Sequence, residues 1–341
     1  MTRREFLKYL GFGLAGLMVP TKNIEQIGTD LIDQDLNVLY GRITQSGHEL
    51  YKEPDQTADV IQSMDMDSVW RITGVRINQA NSTNPIWYEL DYSGFAHSRR
   101  VQPVRKIRNT PVLSIPKDGC LGEVTMPFVD AYSSLVKDQD IIYRFYYSAT
   151  FWVLDVVIDH DMKIWYKLLD DRSYKFYYIP ADHMRIVPDE ELSPISPHVP
   201  FEDKKIIVDL ASQVLTAYEE ERLVFQTKIS SGIRLLEGGF ATPKGIYRVM
   251  RKRPCRHMAN PPNAYGSGFD LPGVPWVSYF TGDGIALHGT YWHNDYGNPS
   301  SHGCVNMSPQ TSKWIYRWTT PTVPPDNYYY SGADGTRVII Q

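Results

Sequence analysis

A cysteine and two histidines lie close together near the end of the 341-residue chain. Cys304 is part of the run Ser-His-Gly-Cys-Val-Asn at 301–306, and His288 precedes that run by a short gap. A thiol becomes a strong nucleophile when it loses its proton, and a neighbouring imidazole or backbone N–H group favours this loss. The sequence therefore indicates nucleophilic chemistry at Cys304, with His288 as the general base and His302 as the alternative base.

The residues around Cys304 suit such a site. Gly303 lets the backbone approach a substrate closely, so the N–H groups of Gly303 and Cys304 are candidates for an oxyanion hole. The apolar run Ile-Ala-Leu at 285–287 predicts a short strand that delivers His288 at its end. Ser308 followed by Pro309 predicts that a helix begins just after the cysteine loop.

A zinc site is the rival chemistry, because zinc accepts imidazole and thiolate ligands such as His288, His302 and Cys304. Ligands at i and i+2 are unusual for zinc, and a fourth group is missing, so we expect no metal and no cofactor. Cys120 and Cys255 fall in different predicted domains. We expect packing residues or free thiols there, with a disulfide between them as the alternative.

This segment resembles the catalytic domain of the L,D-transpeptidases (YkuD family). The family signature is His-Gly or His-Ser, a gap, and then Ser/Thr-His-Gly-Cys-x-Asn, and every signature position matches here. The similarity covers about residues 203–341 and includes the Thr-Pro-Lys-Gly turn at 242–245. The resemblance implies a β-sandwich-like domain and an exported cysteine L,D-transpeptidase acting on peptidoglycan stem peptides. Such an enzyme forms a thioester and passes the acyl group to an amine, which gives a 3→3 cross-link.

The resemblance also implies a role for each matched residue. Cys304 is the nucleophile and His288 the base, with the second ring nitrogen of His288 oriented by the backbone carbonyl of Gly289. The remaining matched residues shape the cysteine loop, the oxyanion site and their hydrogen bonds: Ser301, His302, Gly303 and Asn306.

Residues 251–284 form a long insertion, rich in proline and glycine, before His288. Loops of this length are usually functional lids or disordered, so we predict a lid over the Cys304 cleft, with surface decoration as the alternative. Its basic residues meet either stem-peptide carboxylates or solvent. The residues expected to contact the substrate are Tyr265, Trp276, Tyr279, Trp292 and Asn306.

Two stretches upstream of this domain resemble each other at a spacing of about 80 residues, which is too long for a solenoid unit and suits a duplicated domain. Trp-Tyr-Glu-Leu at 87–90 recurs as Trp-Tyr-Lys-Leu at 165–168. Alternating aromatic and β-branched residues between turn residues predict short strands. The pattern resembles the tandem bacterial SH3-like barrels of cell-wall enzymes. Their aromatic residues either bind wall polymer or only fill the cores of spacer domains.

The N-terminus predicts export. A basic start and an apolar run at 9–19 fit a signal peptide, with an ordinary amphipathic helix as the alternative. As a helix this run reaches about 16 Å, roughly half of the hydrocarbon core, so a full membrane span is not expected. Arg3-Arg4 followed by Phe-Leu-Lys resembles a twin-arginine signal, which implies contact with the export machinery. No Ala-x-Ala site follows, so a membrane tether is the alternative to cleavage.

Composition agrees with an ordinary globular protein, since hydrophobic residues make up 42% and charged residues 22%. The net charge of −4 provides no basic field for nucleic acid, and 13% aromatic residues favour strands. We predict a mainly β chain with few short helices. Its parts are an export signal and linker at 1–36, SH3-like barrels at 37–115 and 116–190, a Pro-rich linker at 191–202 and the catalytic domain at 203–341.

Two further functions are considered. Water as the acceptor would make the protein an L,D-carboxypeptidase. A degenerate catalytic domain would leave a non-catalytic wall-binding protein, although the presence of every signature residue argues against it. In each case we expect the protein in the cell envelope, with peptidoglycan as its partner.

Overall fold

The computed structural model describes residues 38–79, 83–136, 140–233, 240–260 and 268–341. The predicted export signal and Tyr265 lie outside these ranges. The described residues form one compact unit. None of the helices in the described ranges has the length and apolar character needed to cross a membrane.

The first sheet contains seven antiparallel strands in the order β3-β2-β6-β5-β4-β1-β7. It encloses a core that includes Leu50, Leu90 and Val101. The strands are β1 Tyr40–Ile43, β2 His48–Tyr51, β3 Val60–Met64, β4 Val69–Ile77, β5 Ile86–Leu90, β6 Gly94–His97 and β7 Val101–Val104.

The second sheet repeats this architecture. Its strand order is β10-β9-β13-β12-β11-β8-β14. This is the order of the first sheet with seven added to each strand number, as expected for a duplicated unit. The two similar motifs at 87–90 and 165–168 fall on equivalent strands, β5 and β12, where Tyr88 and Tyr166 are both buried. The strands are β8 Cys120–Val124, β9 Phe128–Tyr132, β10 Ile141–Tyr146, β11 Thr150–Ile158, β12 Ile164–Leu169, β13 Phe176–Pro180 and β14 Met184–Ile186.

The C-terminal part consists of two five-stranded sheets. One has the order β17-β16-β15-β24-β18 and the other β22-β21-β20-β19-β23. Strands of the first are β15 Lys204–Asp209, β16 Val214–Glu219, β17 Arg222–Lys228, β18 Gly245–Arg248 and β24 Arg337–Ile340. Strands of the second are β19 Arg251–Asn260, β20 Phe269–Tyr279, β21 Ala286–Gly289, β22 Val305–Met307 and β23 Tyr330–Ser331.

Helix α1, Pro309–Trp318, follows β22 directly. The Ser308 hydroxyl accepts a hydrogen bond from the Thr311 N–H at 3.2 Å, which caps the helix as predicted and stabilises it by about 1 kcal/mol. Ile315 and Trp318 are buried in one core with side chains from both sheets. The helix therefore fixes the chain that leaves the cysteine loop. Short 3-10 turns lie at Ser98–Arg100, Ala181–His183, Asp189–Glu191 and Phe201–Asp203.

The expected loop is wrong for the described part of residues 251–284, because β19 and β20 pair there as a long antiparallel hairpin, while a lid over the Cys304 cleft stays a prediction. Its prolines suggest a loop, but β20 pairs with β21 only at Ser278 and Tyr279. Most of β20 therefore has one open edge, where proline need not donate a hydrogen bond. A Cβ on Gly273 would come within 2.4 Å of the Phe151 ring. This close packing on the second sheet holds the hairpin in place.

The first sheet contacts the segment between His288 and Cys304. Arg42 Nη2 donates to the Tyr291 carbonyl at 2.6 Å, and the Asn294 N–H donates to the Arg99 carbonyl at 2.9 Å. Because these bonds join residues far apart in sequence, the first sheet fixes the backbone that leads from the histidine to the cysteine.

Arg42, which makes the first of these two hydrogen bonds, is only 1% exposed. Its Nη1 lies 2.8 Å from Asp67 Oδ1, its Nε donates to Gln102 Oε1 at 3.0 Å, and its guanidinium lies 4.0 Å from the centre of the Tyr146 ring. A buried cation is tolerated only when its donors are satisfied in this way.

Substituting Arg42→Met should lower the free energy of unfolding by about 3 kcal/mol. This is the lower end of the range for breaking a buried pair, because Arg144 still contacts Asp67 at 3.1 Å. Urea unfolding of the full chain measures the change. The control is Lys52→Met, which removes an ion pair whose side chains are 63% and 77% exposed and should cost less than about 1 kcal/mol. Equal losses in the two variants would contradict this account.

Candidate active site

His288 is the next-to-last residue of strand β21 and is 3% exposed. Its Nδ1 lies 2.9 Å from the Gly289 carbonyl, in agreement with the predicted orienting contact. A carbonyl only accepts, so Nδ1 carries the proton and Nε2 is left as the acceptor. Burial lowers the pKa of His288 to about 4. The imidazole is therefore neutral near pH 7 and able to take up a proton.

Gly289 is needed at this position for steric reasons. A Cβ there would lie 2.5 Å from Ser312 Oγ and 2.9 Å from Pro275 Cγ. Glycine therefore allows α1 and β20 to pack against the residue whose carbonyl orients His288.

Cys304 lies immediately before β22 and is half-buried. It packs against a cluster of Val274, Val277, Tyr279 and Ala286, and its Sγ lies 4.0 Å from the Gly284 carbonyl. Burial raises the pKa of the Cys304 thiol to about 11, although a hydrogen bond from the Ala286 backbone opposes the shift. The expected lowering of this pKa is therefore wrong, and the resting thiol is protonated.

Strand pairing brings the two groups to the same part of the sheet. β21 and β22 are parallel, and His288 is opposite Asn306, two residues after the cysteine. The Trp292 ring centre lies 5.9 Å from that of His288, and Trp292 packs against the same apolar cluster as Cys304. The site therefore combines a neutral thiol and a neutral imidazole in largely apolar surroundings.

The loop that carries Cys304 is fixed by several hydrogen bonds to side-chain hydroxyl groups. Ser301 Oγ donates to the Cys304 carbonyl and accepts from the Gly303 N–H at 3.2 Å. Thr242 Oγ1 donates to the Gly303 carbonyl at 2.7 Å and accepts from the Gly232 N–H at 2.9 Å. Thr242 was visible in the sequence only as part of a turn motif. The bond to Ser301 also occupies the Gly303 N–H, so an oxyanion role for that group requires this bond to open.

Gly303 itself has a φ of 107°, in the region that favours glycine. Gly232 approaches this loop from the other side, since a Cβ on it would lie 2.8 Å from the Gly303 nitrogen. The two glycines therefore permit the close approach of the two backbone segments that frame Cys304.

Asn306 is 1% exposed, so the predicted contact with substrate is wrong for its side chain. Its backbone pairs with Ser230 in both directions, at 2.8 and 2.9 Å. Its Nδ2 lies 3.1 Å from His293 Nε2, and His293 Nδ1 accepts from the Asp295 N–H at 3.2 Å. Asn306 therefore ties the loop down, as its motif implies.

His293 also contacts Asn306, although its position in the sequence suggests only a loop residue. Burial lowers the pKa of His293 to about 4, so the ring is neutral. With Nδ1 acting as acceptor, the proton of His293 is on Nε2, so the Asn306 amide must present its oxygen rather than its nitrogen to this ring. The Ser300 hydroxyl lies 3.2 Å from the same Nε2 and is the other acceptor. A lone histidine in a gap offers no periodic signal from which this position could be found.

His302 is exposed, and its ring lies between Phe240 and Phe269, with ring centres 4.8 and 5.2 Å away. His288, in contrast, is buried and oriented by a backbone carbonyl. In the described ranges, no three His, Cys, Asp or Glu side chains are placed to share a metal ion.

The predicted groove aromatics separate into two groups. Tyr279 and Trp292 belong to the apolar surroundings of Cys304. Trp276 does not: it is 1% exposed and packs against Tyr316 at 5.4 Å, in a cluster that also contains Trp152 of the second sheet. The expectation that Trp276 lines a substrate groove is therefore wrong, because the hairpin buries that side chain.

Residues 203–340 match the model of the YkuD family, described as the L,D-transpeptidase catalytic domain. No match was found among curated protein sequences. The solved structures found to be similar include a mutant L,D-transpeptidase from Enterococcus faecium, at 23% identity, which covers 41% of this chain and 50% of that one with a TM-score of 0.32. This chain thus spans half the length of that protein.

The catalytic domain of the E. faecium L,D-transpeptidase is similar at 26% identity, covering 41% of this chain and 98% of that one with a TM-score of 0.32. An L,D-transpeptidase from Mycobacterium smegmatis is similar at 17% identity, covering 55% of this chain and 93% of that one with a TM-score of 0.34. On the family match, residues 203–340 of this chain are an L,D-transpeptidase catalytic domain.

Proposed function

We propose that this protein is a cysteine L,D-transpeptidase that joins peptidoglycan stem peptides through a thioester at Cys304. The observation that carries the proposal is the parallel pairing of β21 with β22 inside the matched domain. It supports a nucleophile–base pair in which the base already has its proton on the nitrogen facing away from the reaction, against the Gly289 carbonyl.

The reaction begins with both groups neutral. Burial raises the pKa of Cys304 to about 11 and lowers that of His288 to about 4, so proton transfer before attack is unfavourable. The thiol proton therefore passes to His288 Nε2 as the sulfur forms its bond to the carbonyl carbon of the third stem residue. The bond from that carbon to the nitrogen of the terminal D-alanine then breaks, and the leaving amine takes the proton from His288.

The thioester is resolved in the second half of the reaction. The amine of a neighbouring stem attacks the same carbonyl carbon, gives up a proton to His288, and releases the sulfur, which recovers a proton. The product is the 3→3 cross-link. Water in place of the amine would give the L,D-carboxypeptidase reaction, and the apolar cluster around Cys304 favours the amine because it limits access of water.

The upstream sheets and the N-terminus complete the proposal. The two sheets act as SH3-like units of a wall enzyme that is exported, through a twin-arginine-like signal, to the cell envelope, where the N-terminal segment is either cleaved or retained as a tether. Tyr92 and Tyr174 are the exposed aromatics in these sheets best suited to contact wall polymer. A non-catalytic wall-binding protein is the alternative.

Treatment of the full chain with a carbapenem should add the mass of one inhibitor molecule, because the Cys304 thiol opens the β-lactam ring as it would the peptide. Intact mass spectrometry measures the adduct. Cys304→Ala should prevent it and Cys120→Ala should leave it, while His288→Gln should slow acylation by about 100-fold or more. An adduct on the Cys304→Ala protein, or none on the folded wild-type chain, would contradict the proposal.

The acceptor is tested by the products formed from disaccharide tetrapeptides. A transpeptidase yields cross-linked dimers, and a carboxypeptidase yields trimmed tripeptides. We expect dimers to predominate when the acceptor amine is free, and Cys304→Ala to yield neither product. Tripeptides alone would favour the hydrolase, and unaltered biological function of Cys304→Ala would favour the wall-binding protein.

The pH dependence of kcat/KM should fall on the acid side with an apparent pKa near 4. The sign follows from the lowered pKa of His288: above it the imidazole is neutral and accepts the thiol proton, and below it the protonated ring cannot. Between about pH 6 and 9 we expect a constant value, since the thiol remains protonated there. An acid limb centred near the ordinary histidine value would show that His288 is solvated in the free protein.

A further inference from the structure

A row of paired residues leads across the sheet from Cys304 to Arg251. β21 and β22 pair Leu287 with Val305, so Cys304 aligns with Ala286. Ala286 is opposite Tyr279, and Tyr279 is opposite Arg251. Paired residues of neighbouring strands point to the same face, so the thiol and the arginine belong to one face of this sheet.

Arg251 has the features of an anion site without its anion. Its guanidinium lies 4.5 Å from the centre of the Tyr279 ring, and Nη2 donates weakly to the Gly282 carbonyl at 3.5 Å. Its Nε is buried without a hydrogen-bond partner. No carboxylate of the described ranges lies within ion-pair distance of it.

The neighbouring arginines of β19 differ in this respect. Arg253 and Arg256 both contact Asp171, at 2.9 and 2.8 Å. Their charges are therefore used to join the hairpin to the second sheet. Of the three arginines, only Arg251 combines a half-buried guanidinium with a place in the row of Cys304.

The spacing suits a peptide. Neighbouring strands are about 4.8 Å apart, so the Tyr279 ring under the guanidinium lies about 10 Å across the sheet from Cys304. An extended peptide advances about 3.3–3.6 Å per residue. A carboxylate about three residues' length, or about 10 Å, from the attacked carbonyl therefore reaches Arg251 while that carbonyl is at the sulfur.

We propose that Arg251, supported on Tyr279, binds a carboxylate of the donor peptide and so sets its direction across the Cys304 site. The inference rests on the proposed function and narrows its substrate to anionic peptides. Of the two carboxylates of a stem peptide, the one on the γ-linked D-glutamate lies about 9 Å from the attacked carbonyl along an extended chain and fits this span. The one at the terminal D-alanine lies only about 4 Å away and falls short, and amidation of each carboxylate tests this assignment.

The probe is the tetrapeptide L-Ala-γ-D-Glu-L-Lys-D-Ala with both carboxylates free, compared with forms in which one or the other is an amide. Arg251→Gln should raise KM for the free peptide about 10-fold with kcat changed less than about twofold, because a charge-assisted hydrogen bond is lost. The same variant should leave KM unchanged for the form whose amide removes the bound carboxylate. Arg251→Lys should restore part of the affinity.

The matched control is Arg76→Gln in the first sheet. It also removes a guanidinium that lies over an aromatic ring, since Arg76 is 5.8 Å from the centre of the Phe95 ring. It should leave every KM unchanged. Thermal unfolding of each variant verifies the fold. A rise in KM that is equal for free and amidated peptides, or no rise at all, would overturn the inference.

Binding separates this inference from the proposed function. Calorimetry of the same peptides on the Cys304→Ala chain requires no turnover, and Arg251→Gln in that background should weaken Kd about 10-fold for the free peptide alone. If the wild-type enzyme is active but Arg251→Gln leaves peptide binding unchanged, the inference alone is refuted. Binding that depends on Arg251 without thioester chemistry would refute the proposed function only.

Discussion

The parallel pairing of two short strands, Ala286–Gly289 and Val305–Met307, is the contact on which the candidate site depends. Parallel strands cannot be joined by a tight turn, so the chain between them needs a crossover of its own. That crossover carries Trp292 and His293, which surround the reactive groups, and the first sheet holds it through Arg42. The geometry of the candidate site therefore depends on the packing of the first sheet against this crossover.

Burial then determines the protonation of the site. Removing water from Cys304 and His288 disfavours the charged form of each, so the thiol keeps its proton and the imidazole remains without one. A thiolate in this setting would lack solvation, so the thiol loses its proton only as the sulfur forms its bond to the substrate carbonyl carbon in the proposed reaction. In the proposed mechanism the nucleophile is consequently generated by the reaction itself, which protects the thiol from unspecific alkylation and oxidation in the absence of substrate.

Much of this arrangement was predictable from local sequence. Ser308 and Pro309 specify the start of α1 because capping is a short-range effect, and the motif at 301–306 places Cys304 in the loop before β22, where we predict the nucleophile. The β19–β20 hairpin was not predictable, because its prolines and glycines indicate a loop and only packing on Phe151 and Trp152 favours strands. The fixing of Asn306 by His293 was missed for the same reason, since it depends on tertiary contact.

The duplicated sheets share one strand order but hold different parts of the C-terminal domain. The first contacts the crossover through Arg42, and the second contacts the hairpin, where Thr150 Oγ1 donates to the Pro254 carbonyl at 2.8 Å. The two sheets therefore share an architecture but support different segments of the C-terminal domain. Neither is interchangeable with the other, and a chain shortened by one repeat would not be a smaller version of this protein but one with half of its catalytic scaffold unsupported.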